Sequence, residues 1–163
     1  MAVVYIGIGS NLGNREKNCL RAIELLEKRG IPVKKKSSTY ETEPWGIKDQ
    51  PRFINMVIEV ETFFEPEELL RILEEVEREV GRGVAFKWGP RIIDLDILLF
   101  DNIFLKEDNL EIPHPLMDKR DFVLKPLCEI APDIIHPLLK VRICDLLKEL
   151  EKSQIRNSNP SRC

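Results

Sequence analysis

Two carboxylates lie close together in an otherwise apolar stretch of the chain. Asp94 and Asp96 interrupt the run IIDLDILLF, which spans 92–100. Aspartate is depleted in strands, and burying a carboxylate without a partner is costly. Because alternate side chains of a strand share a face, both aspartates are expected on one face of a sheet. The opposite face is expected to carry the aliphatic side chains Ile93, Leu95, Ile97 and Leu99.

The spacing of Asp94 and Asp96 suits a divalent cation. Two residues along a strand span about 6.5–7 Å, so two carboxylates can share one ion or a pair of ions about 3.5–4 Å apart. Oxygen ligands favour magnesium, whose remaining positions are commonly filled by water and substrate phosphates. The sequence therefore predicts a magnesium site beside a nucleotide. The alternative is a polar sheet face whose aspartates are hydrated or paired with arginine.

Basic residues flank the aspartate strand on both sides. Arg82, Lys87 and Arg91 precede it, and Lys119 and Arg120 follow it, in a chain whose net charge is −3. Positioned cations stabilise the charge that develops in phosphoryl transfer. A polyphosphate is thus the expected ligand, and for each basic residue the alternative is a solvated surface charge.

Both histidines lie next to prolines. His114 stands between Pro113 and Pro115 in a rigid loop, where it suits a phosphate donor or a proton-handling group, or else a structural role. His136 precedes Pro137 in an apolar run and is expected to be structural.

A second group of candidate residues lies on an alternating strand. In RFINMVIEVETFF, Phe53 and Asn55 fall on a mixed face, where a ring can stack and an amide can form hydrogen bonds. With Trp45 in the preceding loop, they suit a flat, nitrogen-rich heterocycle, although Phe53 could equally belong to the core. The other face of this strand carries Ile54, Met56, Ile58 and Val60.

The elements that must position these residues follow the order β-α-β-β-α-β. A first strand covers 3–8, and a first helix follows the cap Asn14 and ends at Gly30. A second helix opens at Pro66 and ends near Gly81. This order predicts a ferredoxin-like α+β sandwich with an antiparallel or mixed sheet, additional strands and a C-terminal helix from about 143 to 150. We expect helices on one face of the sheet, one domain over 1–151, and a polar, frayed tail over 152–163.

Composition limits the remaining function classes. A chain of 163 residues with 43% hydrophobic and 33% charged residues is typical of a single globular domain, and no apolar run approaches the length of a membrane span. The four cysteines form no C-x-x-C pair, so we expect them to be reduced and structural in a cytoplasmic protein. The acidic balance argues against a nucleic-acid partner. The glycines of GIGSNLG do not have dinucleotide-loop spacing.

Five blocks of sequence together resemble one known family. They are YIGIGSNLGNR, TEPWG followed by DQPRFIN, VGR, WGPRIIDLDILLF and IPHPLMDKRDFVLKPLCEIAP. In order and spacing they are similar to the 6-hydroxymethyl-7,8-dihydropterin pyrophosphokinases of folate biosynthesis, over roughly 3–150. The resemblance implies transfer of the β,γ-diphosphate of ATP to the hydroxymethyl oxygen of the pterin, which leaves AMP. It also implies that ATP and the pterin are the two substrates, and we expect a monomer.

The resemblance assigns a role to each matching position. Asp94 and Asp96 match ligands of two Mg²⁺ ions, and Arg82 and Arg91 match catalytic residues on loops that close over the triphosphate. The implied ATP contacts are Glu74, Glu77, Arg82, Trp88, Arg91, His114 and Arg120. The implied pterin pocket consists of Thr42, Pro44, Trp45, Phe53, Asn55, Asp94 and Phe122, with Phe53 and Phe122 on the two sides of the ring.

Two other readings remain open from the residues. A different magnesium enzyme of phosphoryl or nucleotidyl transfer could use the aspartate pair, but Phe53, Asn55 and Trp45 would then have no role. A ferredoxin-like binding module without chemistry is the second, for RNA or a small molecule. An RNA module would carry an aromatic RNP pattern and a basic surface, and this sequence has neither.

Overall fold

The computed structural model of the chain describes residues 1–42, 52–81 and 92–157. The strands are β1 Ala2–Ser10, β2 Val33–Lys36, β3 Tyr40–Thr42, β4 Phe53–Thr62, β5 Asp94–Phe100, β6 Leu105–Glu107 and β7 Leu110–Ile112. The helices are α1 Arg15–Lys28, α2 Pro66–Val80, α3 Asp121–Ile130 and α4 Ile143–Asn157. Among the described residues, no helix is both long enough and apolar enough to cross a membrane.

The main sheet has the strand order β2-β4-β1-β5, and every neighbouring pair is antiparallel. The short strand β3 pairs with β4 beyond the end of β2, so β2 and β3 together form one interrupted edge. The order along the chain is β1-α1-β2/β3-β4-α2-β5, which confirms the predicted ferredoxin-like α+β arrangement. Strands β6 and β7 form a separate hairpin.

The first face of the sheet packs against α1 and α2. Alternation along β4 delivers Ile54, Met56, Ile58 and Val60 to this core, as predicted. Helix α1 begins after Asn14, whose side chain accepts a hydrogen bond from the backbone N–H of Lys17, and ends before Gly30 at a φ of +82°. At a positive φ, a residue without Cβ is favoured, which explains the glycine.

The second face is covered by α3 and α4, so the prediction of helices on one face only is wrong. Helix α3 packs on β3 and β4, and α4 packs on α3. The core between them contains Tyr5, Val57, Leu98, Leu99, Val123 and Leu124. Helix α4 continues to Asn157, beyond the end near 150 that the sequence predicted and into the segment expected to be a tail.

Strand β5 carries an irregularity that changes the face of its last residues. Ile6 lies opposite Ile97 and Tyr5 lies opposite Leu99, so Leu98 is an extra residue in β5. The prediction that Leu99 shares a face with Ile97 is therefore wrong, because Leu98 and Leu99 both pack on the α3 and α4 side. The aspartates precede this bulge, and strict alternation holds where they lie.

The cysteines depart from the prediction of a fully reduced set. Cys128 and Cys144 form a disulfide between α3 and α4, with Cα atoms 5.2 Å apart, a separation typical of such bonds. The packing of α3 against α4 brings these two cysteines together. The spacing of cysteines in the sequence does not reveal this packing. Cys19 is a buried free thiol, and burial raises its pKa to about 11. Cys163 lies outside the described residues.

Strand β2 forms an edge of the sheet and is rich in lysine. Lys34, Lys35 and Lys36 are all exposed. The pairing of β2 with β4 shifts in register between Val33 and Lys35. This edge is therefore both charged and irregular.

Candidate active site

A cavity of about 270 Å³ lies between the sheet and the first turn of α3. Its floor is the glycine-bearing part of β1, because Gly7 and Gly9 both line it. Gly9 lies opposite Asn55 of β4 on one side and Asp94 of β5 on the other. Because these two glycines have no side chain, the central strand leaves room between side chains of β4 and β5. Residues that are distant in the sequence therefore meet in one cavity.

The carboxylates of Asp94 and Asp96 lie on the β5 side of the cavity, as the alternation predicted. Asp94 is half-buried and Asp96 is exposed. Between them, Leu95 points into the core, and its backbone N–H donates a hydrogen bond of 3.1 Å to Oε2 of Glu77. Helix α2 therefore fixes the backbone that joins the two aspartates.

The residues predicted on α2 are placed differently from each other. Glu77 adjoins the aspartate strand through Leu95, whereas Glu74 is exposed on the helix. Neither side chain lines the cavity. Their assignment to the nucleotide stays a prediction.

His114 and Arg120 form the side of the cavity next to Asp96. The backbone N–H of His114 donates to the carbonyl of Leu98 at 3.0 Å, which docks the loop on the outer edge of β5. Its Nδ1 accepts from the backbone N–H of Leu116 at 3.2 Å, so the neutral ring carries its proton on Nε2. Burial lowers the pKa of His114, while Asp96 acts in the opposite direction.

The Arg120 guanidinium adds a fixed positive charge. It lies 5.6 Å from the centre of the Phe122 ring, within the range of a cation–π contact. The side of the cavity near Asp96 therefore combines an imidazole N–H, a guanidinium and two carboxylates. Such a set can hold a metal-bound polyphosphate.

The opposite side of the cavity is aromatic and polar. It has two walls, since Phe53, Asn55 and Thr42 lie on the sheet and Phe122 lies on α3. Asn55 is 9% exposed, and its Nδ2 donates a 2.7 Å hydrogen bond to Oγ1 of Thr42. This bond orients the amide, which fits recognition of the polar edge of a flat ring.

The donor set fits magnesium, although it is incomplete by itself. Within the three ranges that the structure describes, no group of three or more His, Cys, Asp or Glu side chains is placed to hold a metal. Asp94 and Asp96 supply only carboxylate oxygens, and magnesium bound by one or two carboxylates takes its other ligands from water and phosphates. These two residues can hold the ion once a polyphosphate is present.

Five predicted residues cannot be placed. Pro44, Trp45, Arg82, Trp88 and Arg91 lie outside the described residues, and their roles stay predictions. The sequence reasoning did not include Gly7 and Gly9, which line the cavity. Their signal was the glycine at alternate positions of β1, which was considered only as a dinucleotide loop.

The sequence matches a family model over residues 5–132, and the family is described as 7,8-dihydro-6-hydroxymethylpterin-pyrophosphokinase (HPPK). The chain belongs to this family. The matched range includes every residue that lines the cavity and most of the sheet. Belonging to it makes the chain a pyrophosphokinase of folate synthesis.

Curated relatives agree with this pyrophosphokinase assignment. The 2-amino-4-hydroxy-6-hydroxymethyldihydropteridine pyrophosphokinase of Aquifex aeolicus (strain VF5) is 46% identical over 140 residues, which are 86% of this chain and 87% of the relative. The protein of the same name from Bacillus subtilis (strain 168) is 44% identical over 133 residues, 81% of this chain and 80% of the relative. The folic acid synthesis protein fol1 of Pneumocystis carinii is 44% identical over 153 residues, but these are only 21% of its length.

Solved structures share the pyrophosphokinase fold. The wild-type HPPK-DHPS of Plasmodium falciparum superimposes with a TM-score of 0.77 at 17% identity, over 97% of this chain and 46% of that one. At this identity the likeness concerns the fold alone. The chain spans less than half of that protein.

Proposed function

We propose that the chain transfers the β,γ-diphosphate of ATP to the hydroxymethyl oxygen of 6-hydroxymethyl-7,8-dihydropterin. One observation carries the proposal: Gly9 pairs with Asn55 on one side and with Asp94 on the other. A ring-binding wall and a pair of carboxylates therefore face the same cavity. Neither a nuclease-like site nor a binding module without chemistry accounts for both walls and for the family match.

The reaction balances without a further reactant. The hydroxymethyl oxygen forms a bond to the β-phosphorus, and the bond from that phosphorus to the oxygen bridging the α-phosphate breaks. AMP leaves with the bridging oxygen, and the hydroxyl proton passes to solvent. The products are the pterin diphosphate and AMP.

The protein groups work by positioning and by charge. Asp94 and Asp96 would hold Mg²⁺, with two ions expected, and when bound the metal neutralises phosphate charge and makes the hydroxyl a better nucleophile. Arg120 and the Nε2–H of His114 are suited to bind the transferred phosphates from the same side. Arg82 and Arg91 remain predicted catalytic residues, and Trp88 a predicted ATP contact.

The aromatic side of the cavity orients the acceptor. Phe53 and Phe122 would stack on the two faces of the pterin, and Asn55, held by Thr42, would bind its polar edge. Fixing the ring fixes the hydroxymethyl group, and well-oriented reactants can contribute several kcal/mol to lowering the barrier. Pro44 and Trp45 are predicted to complete this pocket.

Location and assembly are also proposed. We place the reaction in the cytoplasm, where ATP is abundant, and we expect a monomer. Sedimentation of the purified protein checks the monomer. The predicted partners are small molecules only, without nucleic acid or membrane.

A product assay tests the proposal. Protein, ATP, magnesium and 6-hydroxymethyl-7,8-dihydropterin are incubated, and the products are separated by chromatography and identified by phosphorus NMR. AMP and pterin diphosphate in equal amounts are expected, with both lost when a chelator removes the magnesium. ADP as the product would indicate an ordinary kinase, and no pterin-dependent turnover by folded protein would refute the proposal.

A further inference from the structure

Glu129 joins two elements that form opposite walls of the cavity. It lies in the last turns of α3, and its carboxylate accepts hydrogen bonds from the link between β2 and β3. The backbone N–H of Ser38 donates to both carboxylate oxygens, at 3.1 and 3.0 Å, and the Ser38 hydroxyl donates at 3.0 Å. The Tyr40 hydroxyl donates to Oε1 at 2.6 Å.

These bonds continue along the wall that binds the ring. Tyr40 and Thr42 are two residues apart on β3 and therefore share one face of the strand. Tyr40 lies opposite Asn55 of β4, and Thr42 accepts the hydrogen bond from the Asn55 amide. Glu129 thus holds the strand that orients Asn55.

The other end of the connection is Phe122. Phe122 and Glu129 are seven residues apart on α3, which is two helical turns, so they lie on the same side of the helix. Phe122 lines the cavity, whereas Glu129 lies beyond it. The helix carries one ring wall at its first turn and is fastened to the opposite wall near its last turn.

Strand β3 requires such a fastening. It has only three residues, and among the strands that the structure describes it pairs with β4 alone. Charge-assisted hydrogen bonds are roughly twice as strong as neutral ones. In agreement with this geometry, hydrogen bonds from Tyr40 and Ser38 hold the pKa of Glu129 below its ordinary value, and the same contact raises the pKa of Tyr40 to about 12.

We propose that Glu129 is a positioning residue that sets the width of the pterin slot, the part of the cavity between Phe122 on α3 and Phe53, Asn55 and Thr42 on the sheet. The inference rests on the proposed function, because it assigns this slot to the pterin. Loss of the carboxylate lets α3 and β3 move relative to each other. The affinity for the pterin falls, while the nucleotide side, on β5 and the His114 loop, is unaffected.

Binding measured without turnover tests the inference. Calorimetry gives the Kd of the pterin in the presence of magnesium and α,β-methylene ATP, in which the bond that would break is replaced. Glu129→Ala is expected to raise this Kd about 3- to 10-fold, the equivalent of the net contribution of one ordinary hydrogen bond. Glu129→Gln keeps one acceptor oxygen and is expected to have a smaller effect. The Kd of the ATP analogue should stay within about twofold in both variants.

A double-mutant cycle distinguishes positioning from general destabilisation. Tyr40→Phe removes one donor, and its effect on the pterin Kd should be largely absent when Glu129 is already alanine, because both changes break the same bond. Glu24→Gln is the matched control, since Glu24 is an exposed, ion-paired glutamate on α1. Melting temperatures of all variants are recorded. If Glu129→Ala does not fold, the pterin Kd values of the single variants Glu129→Gln and Tyr40→Phe decide the question, and unchanged values in both overturn the inference.

Each outcome has a separate meaning. An unchanged pterin Kd in the folded Glu129 variants, or an equal loss for the nucleotide analogue, overturns the positioning role alone. A wild-type protein that binds no pterin in the calorimeter overturns the proposed function, and the role of Glu129 falls with it. Additive effects in the cycle show that Tyr40 and Glu129 act independently, which also contradicts the inference.

Discussion

Replacement of Gly9 by alanine tests whether the bare floor of the cavity is needed for ring binding. A Cβ at this position would lie 3.0 Å from Oδ1 of Asn55 and 3.7 Å from Cδ1 of Phe53. The first distance is tighter than an ordinary contact, so the Asn55 amide must move by a few tenths of an ångström. This movement weakens the 2.7 Å hydrogen bond from the Asn55 amide to Thr42, or it rotates the amide out of position.

The magnitude follows from two opposing contributions. Overpacking costs about 1–3 kcal/mol, and replacing glycine by alanine at a compatible backbone recovers about 0.4–1 kcal/mol through the unfolded state. Gly9→Ala should therefore lose roughly 0–2.6 kcal/mol of stability, equivalent to at most about 10 °C in melting temperature. Misplacing the amide costs about one hydrogen bond, so the KM for the pterin should rise about 3- to 10-fold.

Gly7→Ala provides a matched comparison on the same strand. Its Cβ would lie 3.5–3.7 Å from Leu98, which is ordinary van der Waals contact. This variant should be as stable as the wild type or slightly more so. Melting temperatures and the KM of each substrate, from AMP formation, are measured in both variants. A wild-type pterin KM in Gly9→Ala, or an equal loss of stability in Gly7→Ala, would refute the reasoning.

Three further predictions concern the metal ligands, the disulfide and pH. Asp94→Asn and Asp96→Asn should each lower AMP formation at least about 100-fold with melting temperatures near wild type; near-normal turnover contradicts the ligand role. Reducing the disulfide of Cys128 and Cys144, which are 16 residues apart, should cost about 3 kcal/mol and about 6–12 °C, measured by thermal unfolding with and without dithiothreitol. Burial lowers the pKa of His136 from 6.5, so the unfolded chain binds more protons and stability should fall as pH drops from 7 to 5. An equally steep fall in His136→Asn, measured by urea unfolding, counts against this cause.

Alternation in the sequence was sufficient to predict the faces of β4 and of the part of β5 that precedes the bulge. In β4 the apolar set from Ile54 to Val60 entered the core, and Asn55 reached the cavity. In β5 both aspartates reached the cavity as predicted. Such patterns report the faces of a strand directly, because alternation sends successive side chains to opposite faces of the sheet.

Helix α3 was missed because its sequence carries a helix-breaking residue. Pro126 lacks the N–H that would bond to the carbonyl of Phe122 and is disfavoured inside a helix. Tertiary burial overcomes this local preference, since Val123, Leu124, Pro126 and Leu127 are all buried. Because α3 was not predicted, the sequence could not show that helices cover the second face of the sheet. Nor could it show that Glu129 forms hydrogen bonds with Ser38 and Tyr40.

The bulge in β5 and the disulfide were beyond pattern reasoning for a related cause. An extra residue at Leu98 leaves no compositional trace in a run of four successive apolar residues from Ile97 to Phe100. The pairing of Cys128 with Cys144 depends on how α3 and α4 pack, which is a long-range property. Both features are products of assembly and not of local preference.

The lysine-rich edge at β2 bears on how the protein behaves at high concentration. An exposed edge strand can recruit the same strand of a second molecule and start intermolecular sheet growth. A second copy docking antiparallel on β2 would bring lysines at 34–36 against their own counterparts, and the register shift beside Val33 would interrupt the ladder of hydrogen bonds. Strand β2, which pairs with the cavity-lining strand β4, is therefore also protected against aggregation.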